Sequence, residues 1–599
     1  MIVTAAGAPS AGGAPLDQIA VVMAFTTVVY GGLLWVMFRE RSGRRTLVGA
    51  AADRVAARDG SPRWFALPLA IQVAGALSGA VGLYWDVSFH ISRGRDEGPL
   101  ANPAHYLIFL GLIAIFAGGA LALCLADDRL PRRTLRLTRA WRVPFGPAIS
   151  TGVALCALAG FPLDDVWHRL FGQDVTEWGP THVVMIGGVL LLPYTMLLTC
   201  AEVRQIAGSR CRRAMKWVAL VVLAAGPVAF LLEFAYGVPQ FPLINDPIVL
   251  TVATVVTFGL AALRGRRWVA TVWLGYAGLQ AGLLALNVWV FDALTPWPPL
   301  MLGGALVAAL LAPRVRPTIG SGAVTGVAIT AGLLVVEYGW TAATRPMPWP
   351  IEMMPWAALL CGLAGAGIGV VVAWMHQRLA VAGDPVHARA SAGRPHLLAA
   401  LGAVVVVAVF VVNVPPAGDA SAVATVEIDE VARGDRPTGY LEVQVEPADA
   451  VDDAYWFEAL SWQGGGAVRG TMDEVRPGVY RTDEPLPLYG EWKTLLRLHQ
   501  PLHTLVAAPI YLPGDAAIPA AEYPAVDGPR DFVEEQLILR REEKQDLPTW
   551  LWTSAYVVAG GLFATLFGIV AVGYALAGSG RRARRTHRPI ITRLTRARA

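Results

Sequence analysis

The sequence predicts an all-α polytopic membrane protein of about thirteen transmembrane helices carrying an extracytoplasmic β-sandwich domain. Three observations predict it. The 599 residues are 55% hydrophobic and only 16% charged, unlike a soluble multidomain chain. Apolar runs of about 20 residues, the length that crosses a bilayer core, recur from end to end. One long segment near the C-terminus, 418–547, breaks that pattern with charges, turns and short alternating runs.

The first apolar run covers 18–38. No Lys or Arg precedes it within the first eighteen residues, so the positive region of a cleavable signal peptide is missing. Arg39, Arg41, Arg44 and Arg45 follow it, which makes it an anchor with the N-terminus outside. Further runs cover 64–85, 104–125, 143–163, 181–202, 215–236, 247–264, 268–290, 298–313, 320–338, 355–375 and 396–415. Together they make a helical domain over 1–415. A last run at 549–577 precedes a basic tail, 578–599. Lys and Arg crowd every second loop, and the short loops between them hold few. The positive-inside rule then puts the tail in the cytoplasm and the protein in the cell membrane as a multi-pass chain. The bilayer is the expected partner; nothing points to nucleic acid.

Segment 418–547 lies between the last two apolar runs. Ala424–Val431, Tyr440–Glu446 and Trp492–Leu498 alternate as strands do. The stretch Gly478-x-Tyr480 to Gly490-x-Trp492 resembles small extracytoplasmic immunoglobulin-like modules. His499 and His503 read as exposed loop residues there, to be tested with Met472 if the domain handles metal.

Two hairpins, within 64–125 and 143–202, repeat one pattern. The first reads Gly82-x3-Asp86-x3-His90-x3-Gly94-x-Asp96 and then Pro103-x-His105. The second reads Gly160-x3-Asp164-x3-His168-x3-Gly172-x-Asp174 and then Pro180-x-His182. Both fall on the side predicted to face outward, which suggests internal duplication. Asp and His four apart share a helix face. A second His after a short loop can return to the same point, and Pro before it suits a first helical turn. Each copy therefore offers two imidazoles and a carboxylate, a metal-ligand set.

The bland alternative is a pair of helix-end ion pairs, Asp86–His90 and Asp164–His168; four histidines at duplicated positions favour the metal. Gly94 and Gly172 read as turn and cap residues. Asp96 and Asp174 either hold the imidazoles in orientation by hydrogen bonds from outside the ligand set or act as caps. Asp165 falls on another helix face. Two His and one carboxylate suit copper, iron or zinc, in one dinuclear or two mononuclear sites. Paired haem ligation fits less well, because the Asp residues would have no role in it.

Elsewhere the signals are weaker. Glu233 and Glu337 are lone acids in apolar runs, either proton or ion relays or hydrogen-bonded interfacial residues. His376, His387, His396 and His587 fall on the predicted cytoplasmic side and read as incidental. The five cysteines form no CxxC pair, and no Walker or dinucleotide motif occurs.

Asp-x3-His followed after 12–13 residues by a second His resembles the copper-binding motif of the C subunit of particulate methane and ammonia monooxygenases. That family carries one such site with Asp as first ligand and a neighbouring one with Asn. Asp86, His90 and His105 match the first, and Asp164, His168 and His182 the second with Asp in place of Asn; the spacers here are 14 and 13 residues. The resemblance covers about 120 residues. It implies copper, an outward-facing site, companion membrane subunits and monooxygenase-like oxidation of a small apolar substrate. The alternative expectation is metal transport or delivery without catalysis, with an extracytoplasmic carrier as partner. No ladder of Met, Cys or His crosses the bilayer to support a channel.

Overall fold

The computed structural model describes residues 13–96, 101–126, 129–172, 176–206, 208–384, 395–412, 422–501, 504–518, 520–544 and 546–579. Its helices are α1 (Leu16–Arg41), α2 (Leu47–Asp59), α3 (Ala66–Arg93), α4 (Pro103–Cys124), α5 (Phe145–Phe171), α6 (Pro180–Leu190), α7 (Leu192–Arg204), α8 (Arg212–Ala225), α9 (Leu232–Tyr236), α10 (Asn245–Ala262), α11 (Arg266–Trp289), α12 (Leu302–Leu311), α13 (Ile319–Thr344), α14 (Met354–Gly383), α15 (Pro395–Val412), α16 (Glu535–Leu539) and α17 (Thr549–Ala577).

Each expected apolar run contains a helix among the described residues, where eleven segments are long and apolar enough to span a membrane. Two of the thirteen are shorter. α12 has only ten residues, because Pro296, Pro298 and Pro299 hold the chain before it extended. Glu337 answers that break by accepting from Leu300 N (2.7 Å) and Met301 N (3.0 Å), so it serves as a backbone cap. The span at 180–204 bends between α6 and α7 just before Pro193, and a 3-10 turn around Pro227 joins α8 to α9. The helix α2 was not anticipated. Thr46 caps it, accepting from Gly49 N at 3.0 Å, and it packs beside α3 at the end away from the repeated motifs.

α3 and α4 pack closely through glycine. A Cβ on Gly75 would stand 2.7 Å from the Gly111 carbonyl, and one on Gly82 would stand 2.8 Å from that of Ala104. The second hairpin repeats this contact, with a Cβ on Gly160 falling 2.5 Å from Met185 Cγ and 3.4 Å from the Thr181 carbonyl. Ala104 and Thr181 each precede the second histidine of their copy. The repeated glycine thus brings the helices together one turn before the Asp.

After a small hairpin, β1 (Leu135–Arg136) and β2 (Arg142–Val143), the β-rich unit follows α15. Its strands are β3 (Val423–Ala432), β4 (Thr438–Glu446), β5 (Trp456–Trp462), β6 (Ala467–Arg476), β7 (Val479–Thr482), β8 (Leu486–Pro487), β9 (Lys493–Gln500), β10 (Thr504–Tyr511), β11 (Gly528–Asp531) and β12 (Val533–Glu534). The expected two-sheet sandwich is not what the pairing draws. The order β11-β3-β4-β7-β6-β5-β9-β10-β12 is one antiparallel path, with β8 pairing to β4. Its ends, β11 and β12, are separated only by Phe532, so the sheet curls like a barrel around Val426, Leu441, Leu498 and Ile510. β3 and β4 alternate buried and exposed residues, whereas β5 and β9 are buried on both faces. The reason is docking: Leu460, Trp462 and Leu495 pack outward onto Tyr84 and Ile91 of α3 and Tyr236 of α9.

Candidate metal centre

The β unit sits over the ends of α3 and α5 that carry the two Asp/His copies. Gln463 N donates to the Ile91 carbonyl (3.2 Å) and Gly465 N to that of Ser92 (2.8 Å). On the other copy Lys544 N donates to the Phe171 carbonyl (2.8 Å), and Gly172 bridges to Glu543. The Arg-rich loops lie at the far end, where Arg41 reaches the Ala126 carbonyl (3.2 Å).

In the first copy three side chains converge. Asp86 Oδ1 lies 3.5 Å from His90 Nε2 and 3.0 Å from His105 Nε2, and the three ligand atoms are all within 4.8 Å of one another. Donors about 2.0–2.1 Å from a tetrahedral ion stand about 3.3 Å apart, so Asp86, His90 and His105 form a group that could hold a metal ion. Asp96 joins them, its Oδ2 lying 3.8 Å from His90 Nε2 and 3.7 Å from His105 Nε2. Asn102, missed in the sequence, bridges the two carboxylates, donating to Asp86 Oδ1 (2.6 Å) and Asp96 Oδ2 (3.3 Å) while its own oxygen caps α4 at Ala104 N (3.0 Å). Asp96 therefore faces the imidazoles and is more than a turn residue.

The second copy is similar but looser. His168 Nε2 lies 3.2 Å from Asp164 Oδ2 and His182 Nε2 lies 3.5 Å from Oδ1, so each ring takes a different oxygen. Thr181 Oγ donates to Asp164 Oδ1 at 2.5 Å. Among the described residues only the first triad draws all its ligand atoms within 4.8 Å. Asp174 lies outside the described residues. Asp165 pairs with Arg169 (2.8 Å), away from the rings. Gly94 and Gly172 end their helices at positive φ (79° and 87°) and cap the carbonyls of His90 (3.0 Å) and His168 (3.1 Å).

The outer nitrogens set the chemistry. Nδ1 of His90 faces the Gly94 carbonyl (2.8 Å), that of His168 the Gly172 carbonyl (3.3 Å) and that of His182 the Thr176 carbonyl (2.5 Å). A ring nitrogen against a carbonyl must donate, so each neutral ring carries its proton on Nδ1 and a lone pair on Nε2. All three lone pairs then point at carboxylate oxygens. That arrangement calls for a cation between them, either a second proton on each ring or a metal ion. His105 differs, since among the described residues its buried Nδ1 has no hydrogen-bond partner and its Nε2 can donate to Asp86.

Both copies line one cavity of about 1160 Å³, which runs from the Asp/His end past Ile115, Val189, Trp217 and Leu279 along α1. Phe161 stands between the copies, edge-on to His105 with ring centroids 6.5 Å apart. The same wall holds Glu177, which the sequence reading missed because the first copy has no counterpart. Glu177 N donates to Glu233 Oε1 (3.1 Å), Glu233 N donates to Glu177 Oε1 (3.3 Å), and Thr176 Oγ donates to Glu233 Oε1 (2.5 Å). Burial, and then the Glu233 carboxylate beside it, push the Glu177 carboxyl well above the usual range.

One sequence expectation is corrected. His499 is not an exposed loop residue. It is buried in β9, where its Nε2 accepts from Leu243 N (3.1 Å), and it packs against Tyr455 and Trp456. It docks the β unit. His503 lies outside the described residues. Met472 is buried in the core of the β unit.

These features define a multi-helix membrane protein with a β-rich unit seated over duplicated Asp/His clusters. No protein family, no curated protein and no solved structure matches the chain.

Proposed function

We propose that this protein binds copper at Asp86, His90 and His105 and at Asp164, His168 and His182, and oxidises a small apolar substrate in the cavity the two sites share. The observation that carries this reading is the orientation of His90, His168 and His182. Backbone carbonyls hold their outer nitrogens, so their Nε2 lone pairs face a carboxylate and an open cavity. Imidazole and carboxylate donors suit copper, and also iron or zinc; the monooxygenase resemblance favours copper. A bound copper ion would supply one-electron redox chemistry. The chain's own residues hold and orient the imidazoles, and the apolar walls exclude water and receive the substrate.

We read α12 and α15 as further crossings, which gives thirteen passes, an external N-terminus, a cytoplasmic tail and outward-facing clusters in the cell membrane. Gathering of the Arg-rich loops at the end away from the clusters supports that orientation.

The test is metal content by mass spectrometry of the membrane-purified protein beside a His90→Ala/His168→Ala double variant. Copper at one to two equivalents in the wild type, lost in the variant, is expected. A wild type that stays empty after reconstitution with copper, iron and zinc sinks the proposal and leaves the clusters as protonated His–Asp pairs.

A further inference from the structure

The end of the helical domain away from the Asp/His clusters gathers cations without matching acids. Arg204 ends α7, Arg212 and Lys216 open α8, Arg264 follows α10, and His376 lies near the end of α14. α7 packs on α8 and α14, and α10 packs on both α8 and α14, which gathers these residues at one end of the bundle. Lys216 feels the charges of Arg264, Arg212 and Arg204, and His376 those of Arg264 and Lys216.

Acids near them are committed elsewhere. Glu202 accepts from Phe145 N (2.7 Å) and Gly146 N (2.9 Å), and Asp59 from Ser209 Oγ and Cys211 N (2.7 Å each). Among the described residues the cluster's one ion pair is Arg204 to Asp384, at 3.9 Å. Among those residues Arg212, Lys216 and Arg264 make no side-chain hydrogen bond or ion pair, and the buried Nε of both arginines has no hydrogen-bond partner there. Arg264 lies over the Trp268 ring, 5.2 Å from its centroid. Burial, and the neighbouring Arg212 and Arg204, hold the Arg264 guanidinium below the ordinary arginine range. Half-buried like charges are costly unless an anion joins them.

We propose that this cluster binds a phosphate group, the headgroup of an anionic phospholipid from the adjacent leaflet. Two guanidinium forks and one ammonium match phosphate oxygens. The cluster stands at the ends of membrane-crossing helices, where headgroups lie, and exposed Arg213, Arg266 and Arg267 extend the positive surface outward toward them. It uses no residue of the Asp/His clusters and stands whether or not those bind metal.

The test is delipidated full-length protein in detergent, titrated with phosphatidylglycerol, phosphatidylcholine or inorganic phosphate, with bound lipid read by native mass spectrometry. Retention of phosphatidylglycerol over phosphatidylcholine is expected. Arg264→Gln/Lys216→Gln should weaken that retention about twenty-five-fold, from about fivefold per cation removed. Arg264→Lys/Lys216→Arg, which keeps both charges, should retain most of it and controls for folding. Equal retention of both lipids, or an unchanged Gln variant, overturns the proposal. Inorganic phosphate that binds as tightly as the lipid and displaces it overturns the lipid assignment.

Discussion

Gln463 Nε2 donates to the carbonyl of His90 at 3.1 Å, tying the β unit to the residue that also presents Nε2 to Asp86. Gln463 adopts a positive φ of 64° to do so, and its oxygen accepts from Lys493 Nζ. The β unit therefore holds the end of α3 in place.

Removing that tie should loosen the first cluster. Gln463→Gly keeps the backbone conformation comfortable while deleting the amide, at a cost of about 1 kcal/mol for a lost hydrogen bond. Copper affinity at the first cluster is expected to fall by up to about tenfold while the second is unchanged. Isothermal titration on the wild type and variant checks it. An equal loss at both clusters would point to general unfolding instead.

The repeated glycines make a sharper prediction. Gly82→Val puts a side chain where the Ala104 carbonyl stands 2.8 Å from a Cβ, so α3 and α4 must part. A destabilisation of about 1–3 kcal/mol is expected, together with loss of metal at the first cluster. Gly79→Ala meets nothing within 4 Å of the added carbon and should be silent in both readouts. Thermal unfolding followed by metal analysis separates the two, and a silent Gly82→Val would dismiss the close-approach role.

The two clusters should also load unequally. The first draws its three donors within 4.8 Å and has Asp96 beside them, whereas His168 and His182 take opposite oxygens of Asp164. Titration of apoprotein should show two steps, with Asp86→Asn removing the tighter one and Asp164→Asn the weaker. Loss of the weaker step on Asp86→Asn would reverse the assignment.

Much of this was legible in the chain. The apolar runs marked the long apolar helices, though not α2, and the Asp/His repeat marked residues that the fold does bring together. What the sequence hid were contacts without periodicity. Asn102 looks like an ordinary cap before Pro103, and its bridge between Asp86 and Asp96 needs the loop closed. Glu177 meets Glu233 across two hairpins. The rolled sheet was obscured because β5 and β9 are buried on both faces, one on the core of the β unit and one on the helix ends, which erases the alternation that reveals a strand's two sides.

The seam between the β unit and the helices should respond to pH. Arg497 is fully buried there, donating to Glu535 (2.5 Å), Glu458 (2.8 Å) and the Gly237 carbonyl (3.1 Å). Burial pushes the Glu535 carboxyl from 4.5 up to about 7, against the opposing pull of Arg497. A carboxyl raised in the folded state favours the protonated fold. Its contribution is whole below about pH 4.5 and is lost as pH climbs through about 7. Protection of the 528–544 segment from proteolysis should therefore decline between about pH 5 and 8. Glu535→Gln, neutral throughout, should show a shallower decline; Glu177, also raised by burial, leaves a residual slope. A variant that keeps the full wild-type slope would show that Glu535 does not titrate in this window.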